Sequence, residues 1–136
     1  MKKVNEYNKN HILYFEVINK EDNKVLFKDF SLFCNPKDFT LNDPKLQHKI
    51  EVQEQSSKNG LIRLNLNVFS KGIGIFVFIK SLKVDFISSD NFFSMKPNEN
   101  RHITITVQNS EELKNKFSIK EVIDSFKIQS LYDLMK

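Results

Sequence analysis

Histidine and cysteine are the side chains best suited to nucleophilic and metal chemistry, and this sequence holds three histidines and one cysteine. The histidines, His11, His48 and His102, lie far apart in or beside predicted strands, and no short spacing of the kind that zinc sites use links them. Cys34 falls in an apolar run, where a cysteine typically behaves as a small buried hydrophobe. A Cys–His nucleophile pair therefore has no local support, and we predict no catalytic or metal residue and no cofactor.

Paired carboxylates and glycines offer the other chemical patterns. Glu111-Glu112 reads as the acidic first turn of a helix, and Asp85 and Asp90 flank a strand end and turn. The Gly72-x-Gly74 pair precedes a strand and not a helix, so it does not form a phosphate-binding loop. These patterns indicate local structure and no active site.

The length of 136 residues suits one domain and is too short for a (β/α)₈ barrel, which needs roughly 200 residues or more. The chain contains 13 phenylalanines, no alanine and no tryptophan. Phenylalanine favours strands and alanine is the best helix former, so the composition predicts a mostly β domain.

The net charge of +4 does not by itself indicate a nucleic-acid partner. The lysines are spread along the chain, and only two arginines supply the bidentate geometry that phosphates favour. One cysteine excludes an internal disulfide. Residues 1–10 are polar and read as a linker or arm, so neither a signal peptide nor a membrane partner is expected. The composition does not indicate a cellular compartment for the protein.

Apolar and polar residues alternate along several short segments. Ile62 to Val68 and Ile103 to Val107 show a period of two, which is typical of strands with one buried face. Seven or eight such segments, about ten residues apart and separated by turn signals, predict an all-β, Ig-like antiparallel sandwich over residues 11–136. One or two short helices are expected near the C-terminus, the second with a capping box from Ser118 to Glu121.

The segment from Gly72 to Ile79 is apolar at nearly every position, so both faces of its strand are expected to be covered. In a single sandwich only one face is covered by the opposite sheet. The sequence therefore predicts a neighbouring domain over the outer face.

A recognisable pattern follows this strand. It reads Ser89-Asp90-Asn91, then Phe93, then a turn with Pro97 and Glu99, and a strand rich in Ile, Thr and Val follows. In order and spacing it resembles the C-terminal Ig-like domain of the β-mannosidases of glycoside hydrolase family 2. The likeness extends over roughly residues 12–133, and Asn98 stands where the family has glycine, at a turn position that tolerates positive φ.

The resemblance implies a non-catalytic domain, because the two catalytic glutamates of that family lie on a barrel that this chain lacks. It also implies a structural role for the turn residues, and we predict no ligand-binding residue. The structural set comprises Ser89, Asp90, Asn91, Phe93, Pro97 and Glu99.

Two functions of different classes follow. The first is an accessory domain that packs on the other domains of a β-mannosidase-like enzyme, in a compartment (lysosomal, secreted or periplasmic) that would follow the parent. The alternative is a free-standing Ig-like module that binds carbohydrate or protein. Nucleic-acid binding is the least favoured reading.

Overall fold

The computed structural model describes residues 11–34, 39–56, 60–108 and 111–135. Close contacts divide the chain into two compact units, with the boundary between Asn42 and Asp43. The predicted arm, residues 1–10, lies outside the described residues. The single domain boundary of 11–136 therefore stays a prediction.

The first unit contains an antiparallel hairpin of β1 (Ile12–Ile18) and β2 (Val25–Leu32). Asn23 adopts a φ of 57° in the turn, a conformation that asparagine tolerates better than most residues. The pairing places one extra residue, Leu26, in β2, which is a β-bulge near the start of that strand.

One face of the hairpin is apolar and exposed. Leu13, Phe15 and Val17 alternate along β1, and between 40% and 50% of each is exposed. Phe27 pairs with Val17, and its ring centroid lies 6.2 Å from that of Phe15. Because a two-stranded hairpin has little stability by itself, this face is a surface that gains from being covered.

The second unit carries two antiparallel sheets. Their strands are β3 (Leu46–Ser56), β4 (Leu61–Ser70), β5 (Gly74–Ser81), β6 (Phe86–Ser88), β7 (Phe93–Met95), β8 (Glu99–Gln108) and β9 (Phe126–Gln129). The four-stranded sheet has the order β3-β4-β8-β6, and the three-stranded sheet has the order β7-β5-β9.

The core lies between the inner faces of these sheets, where side chains from both sheets form one buried cluster. The period of two along β4 and β8 turns every second residue inward, and Leu64 and Ile105 are fully buried. Val77 and Phe93 face them from the three-stranded sheet. The predicted all-β, Ig-like sandwich is confirmed, with nine strands among the described residues.

Three short helices follow near the C-terminus of the described chain: α1 (Glu111–Lys116), α2 (Ile119–Asp124) and α3 (Leu131–Met135). The hydroxyl of Ser118 accepts a hydrogen bond from the Glu121 amide at the start of α2, in line with the capping box. The third helix is one more than the sequence predicted. Its first turn is fixed by Asp133, whose carboxylate accepts the Ser130 amide at 2.8 Å.

The apolar segment of residues 72–79, which overlaps β5, is buried unevenly. Ile75, Val77 and Ile79 are buried, Phe78 is half-buried, and Phe76 is 47% exposed. The pairing of β5 with β7 shifts between Gly74 and Val77, and Phe76 has a φ of 50° there. The predicted cover on both faces is thus incomplete in this chain, because the bulge turns Phe76 towards solvent.

None of the helices that the structure describes combines the length and the hydropathy needed to cross a lipid bilayer.

Removing a core side chain should destabilise the sandwich strongly. Leu64→Ala is expected to lower the free energy of unfolding by about 2–5 kcal/mol, because Leu64 is fully buried between the sheets. Its neighbour Asn65 lies on the exposed face of the same strand, so Asn65→Ala should cost less than about 1 kcal/mol. Urea denaturation of both variants measures the difference, and similar losses would contradict this placement of the core.

Candidate functional site

The residues of the predicted motif meet at one corner of the second unit. Ser89, Asp90 and Asn91 form the turn after β6, Phe93 begins β7, and Glu99 begins β8. Pro97 lies in the exposed turn between β7 and β8. The structure brings three of these residues, Asp90, Phe93 and Glu99, around a side chain that the sequence analysis did not name, Arg101.

Arg101 occupies an inward position on β8, and only 9% of its side chain is exposed. Its guanidinium lies 2.9 Å from a Glu99 carboxylate oxygen and 3.3 Å from one of Asp90. It also donates to the Ser94 carbonyl oxygen at 3.3 Å and lies 4.4 Å from the centre of the Phe93 ring. Two carboxylates, a carbonyl and an aromatic face therefore compensate the burial of this charge.

Asn91 links the turn to the neighbouring strand. Its side-chain oxygen accepts the amide of Ile79 on β5 at 2.9 Å and the amide of Phe92 at 3.0 Å. Phe92 has a φ of 52°, which is costly for a bulky residue and persists only where the surroundings enforce it. The bonds to Asn91 hold that conformation.

The consequence is an aromatic pair on the surface, which we call the Phe78–Phe92 pair. The two rings stack with centroids 5.9 Å apart and an angle of 17° between their planes. Phe92 is 69% exposed, and Phe78 is half-buried. A motif whose Asn91 side chain accepts two backbone amides beside an exposed phenylalanine favours a contact surface over a site of chemistry.

The turn before β8 confirms the expectation about Asn98. Its φ is 62°, and its amide donates to the carbonyl of Ser70 at 2.7 Å. A carboxylate oxygen of Glu99 also accepts the Lys96 amide at 3.3 Å. Glu99 therefore serves both the turn and Arg101.

The candidates for nucleophilic and metal chemistry do not converge. His11, His48 and His102 are exposed, and Cys34 is a half-buried free thiol. Within residues 11–34, 39–56, 60–108 and 111–135, no three His, Cys, Asp or Glu side chains are grouped in a way that could hold a metal ion.

A second site was not predicted. The outer face of the four-stranded sheet carries a depression of about 560 Å³, which we call the polar groove. Its floor includes Leu66 and Ile103, which point into the core on the other side. The polar groove is lined by Lys49, Glu51, Asn65, Asn67, His102 and Thr104.

Charge in the polar groove is balanced. The ammonium of Lys49 lies 2.9 Å from a Glu51 carboxylate oxygen, and both side chains are largely exposed. The hydrogen bond to Glu51 and the negative charge of its carboxylate raise the pKa of Lys49 above its ordinary value. The period of two predicted a solvent-exposed face here. Which residues of β3, β4 and β8 become neighbours across that face could not be read from local sequence.

The family model Ig_mannosidase, described as an Ig-fold domain, matches residues 41–134. A search of the curated proteins found no match.

The two carboxylates beside Arg101 should contribute unequally to stability. Glu99→Gln is expected to cost about 2 kcal/mol, because it leaves a buried guanidinium short of a charged acceptor. Asp90→Asn should cost less than about 1 kcal/mol, because 46% of the Asp90 side chain is exposed and its contact with Arg101 is longer. Chemical denaturation compares the pair, and an equal or reversed order would show that Arg101 does not depend on Glu99.

Proposed function

Because the chain belongs to the Ig_mannosidase family of Ig-fold domains, we propose that it is a non-catalytic accessory domain of a β-mannosidase-like enzyme of glycoside hydrolase family 2. Its partners are the other domains of that enzyme, on the same chain or as a separate one. The parent would act on β-mannosides, such as those of mannan or glycoprotein glycans. The work of this domain is to cover apolar surface and to hold neighbouring domains in place.

The observation that supports this role most directly is the Phe78–Phe92 pair. A phenylalanine that is 69% exposed, held in a strained backbone conformation, is costly to keep in water. Burying one such ring in an interface is worth about 1.5–3 kcal/mol. Exposed aromatic residues of this kind are enriched at the centres of protein interfaces.

The first unit offers a second surface of the same character. The exposed Leu13, Phe15 and Val17 face of the hairpin would gain stability under a neighbouring domain. Each unit thus carries an apolar area that an accessory role would use.

The proposed accessory role assigns no catalysis to this chain alone. Retaining glycosidases need two carboxyl groups about 5–5.5 Å apart on either side of the scissile bond. The carboxylates of Glu99 and Asp90 lie close to each other because both are ion-paired with Arg101. They serve as ion-pair partners and present no free acid and nucleophile.

The purified 136-residue chain should show no turnover of an aryl β-mannoside above a buffer blank, because the two carboxylates that the predicted motif brings together, Asp90 and Glu99, are both ion-paired with Arg101. A standard release assay of the aryl alcohol measures this. An intact β-mannosidase provides the positive control. Turnover that follows the chain through purification and disappears in Glu99→Gln would contradict the proposal.

Docking should depend on the aromatic pair. The probe is the body of a β-mannosidase from the same genome, expressed without its own C-terminal Ig-fold domain. Calorimetry is expected to show binding of this body to the wild-type chain and at least tenfold weaker binding to Phe92→Asp. The substitution places a charge in the centre of the proposed interface, where it loses its hydration.

The matched control is Ile87→Asp. Ile87 is 76% exposed and lies on β6 in the other sheet, so it also presents an apolar side chain to solvent. Its substitution should leave binding within about twofold of wild type, since exposed residues outside an interface contribute little. Equal losses in both variants would argue against the Phe78–Phe92 pair as the contact.

A further inference from the structure

We propose that the polar groove on the four-stranded sheet is a binding site for a saccharide. This inference stands apart from the accessory role, because the polar groove and the Phe78–Phe92 pair lie on different sheets.

The strand register builds the polar groove from two rows of side chains. Lys49, Asn67 and His102 form one row across β3, β4 and β8, as the pairing of these strands shows. Glu51, Asn65 and Thr104 form the next row. With strands about 4.8 Å apart and rows about 6.8 Å apart, the six side chains span an area that suits a sugar ring or two. A volume of about 560 Å³ lies within the range of small-molecule sites.

The chemistry of the lining selects the ligand class. Asparagine amides and a threonine hydroxyl offer donors and acceptors side by side, and sugar hydroxyls both donate and accept. A phosphate or other anion would meet the Glu51 carboxylate beside the ammonium of Lys49, since the two groups lie 2.9 Å apart. A neutral, polyhydroxylated ligand fits this balance better than an anion.

Asn67, at the centre of the polar groove, is only partly satisfied. Its side-chain oxygen is buried and has no hydrogen-bond partner among the described residues. Its nitrogen lies 3.5 Å from the Asn100 side-chain oxygen, which is at the outer limit of a hydrogen bond. A buried acceptor of this kind costs stability until a donor reaches it, and a rotation of the Asn67 amide towards the polar groove would let a ligand hydroxyl supply one.

An aromatic ring borders the polar groove on β4 without being part of its lining. Phe69 lies two residues beyond Asn67, on the same outward side of the strand, and it pairs with Gln47 and Asn100. It is half-buried, so part of the ring remains accessible. The apolar face of a sugar ring packs against such a surface while its hydroxyls meet the amides.

The experiment titrates the full chain with three probes, β-1,4-mannohexaose, cellohexaose and a free high-mannose N-glycan, each to about 10 mM, which detects even a millimolar Kd. Binding is followed by the shifts of backbone amide signals in ¹H–¹⁵N NMR spectra. At least one probe is expected to shift the signals of residues 65–67 and 102–104 and to leave those near Phe92 unchanged. A preference for the linear probes indicates a polysaccharide source, and a preference for the N-glycan indicates a glycoprotein.

Two substitutions locate the site. Asn67→Ala should weaken the binding of the responding probe by at least about tenfold, because it removes the central hydrogen bonds. Thr106→Ala is the matched control, since Thr106 lies on β8 one row beyond the polar groove and does not line it. It should bind within about twofold of wild type. If Asn67→Ala fails to fold, as judged by its thermal unfolding, Asn65→Ala takes its place with the same expectation.

Three results would overturn the inference: no probe shifts any signal, the shifts fall outside the polar groove, or the Asn variants bind as tightly as wild type. None of these results bears on docking through the Phe78–Phe92 pair. Equally, failure of the docking experiment leaves the saccharide titration unaffected.

Discussion

A guanidinium can be buried between two sheets only when its donors are occupied, and this requirement at Arg101 organises one corner of the second unit. The acceptors come from three short segments: Asp90 from the turn after β6, Ser94 from β7 and Glu99 from the start of β8. The turn that supplies Asp90 also contains Asn91, which binds the β5 backbone. The buried charge, the sheet edge and the position of the exposed Phe92 ring are therefore parts of one arrangement.

Much of this fold could be predicted from local pattern. The alternation along β4 and β8 reports burial on one face only, so Leu64 and Ile105 were readable as core residues. The capping residues of α2 were also readable from the sequence, because the hydrogen bond at the start of that helix joins residues only three positions apart. The third helix was not, since Asp133 acts on a segment whose composition also suits a strand.

Arg101 is a residue of the candidate site that sequence reasoning did not identify, although the sequence contained a signal for its burial. In a chain with many lysines it is one of two arginines, and it stands at an inward position of an otherwise apolar strand face. A charged residue at such a position predicts buried acid partners, although their identity depends on tertiary contacts. The polar groove could not be predicted from the sequence for a different reason. Glu51, Asn65 and Thr104 become neighbours only through the register of three strands, and local sequence does not specify that register.

The alternation along β4 has a further consequence for how this protein can change over evolutionary time. The residues that line the polar groove and the residues that fill the core are consecutive, so Asn65 and Asn67 are interleaved with Leu64 and Leu66. Insertion or deletion of one residue in this strand would exchange the two sets and place amides in the core and leucines in water. Homologous sequences should therefore differ here by substitution and keep a constant strand length, while length variation collects in the turns between strands.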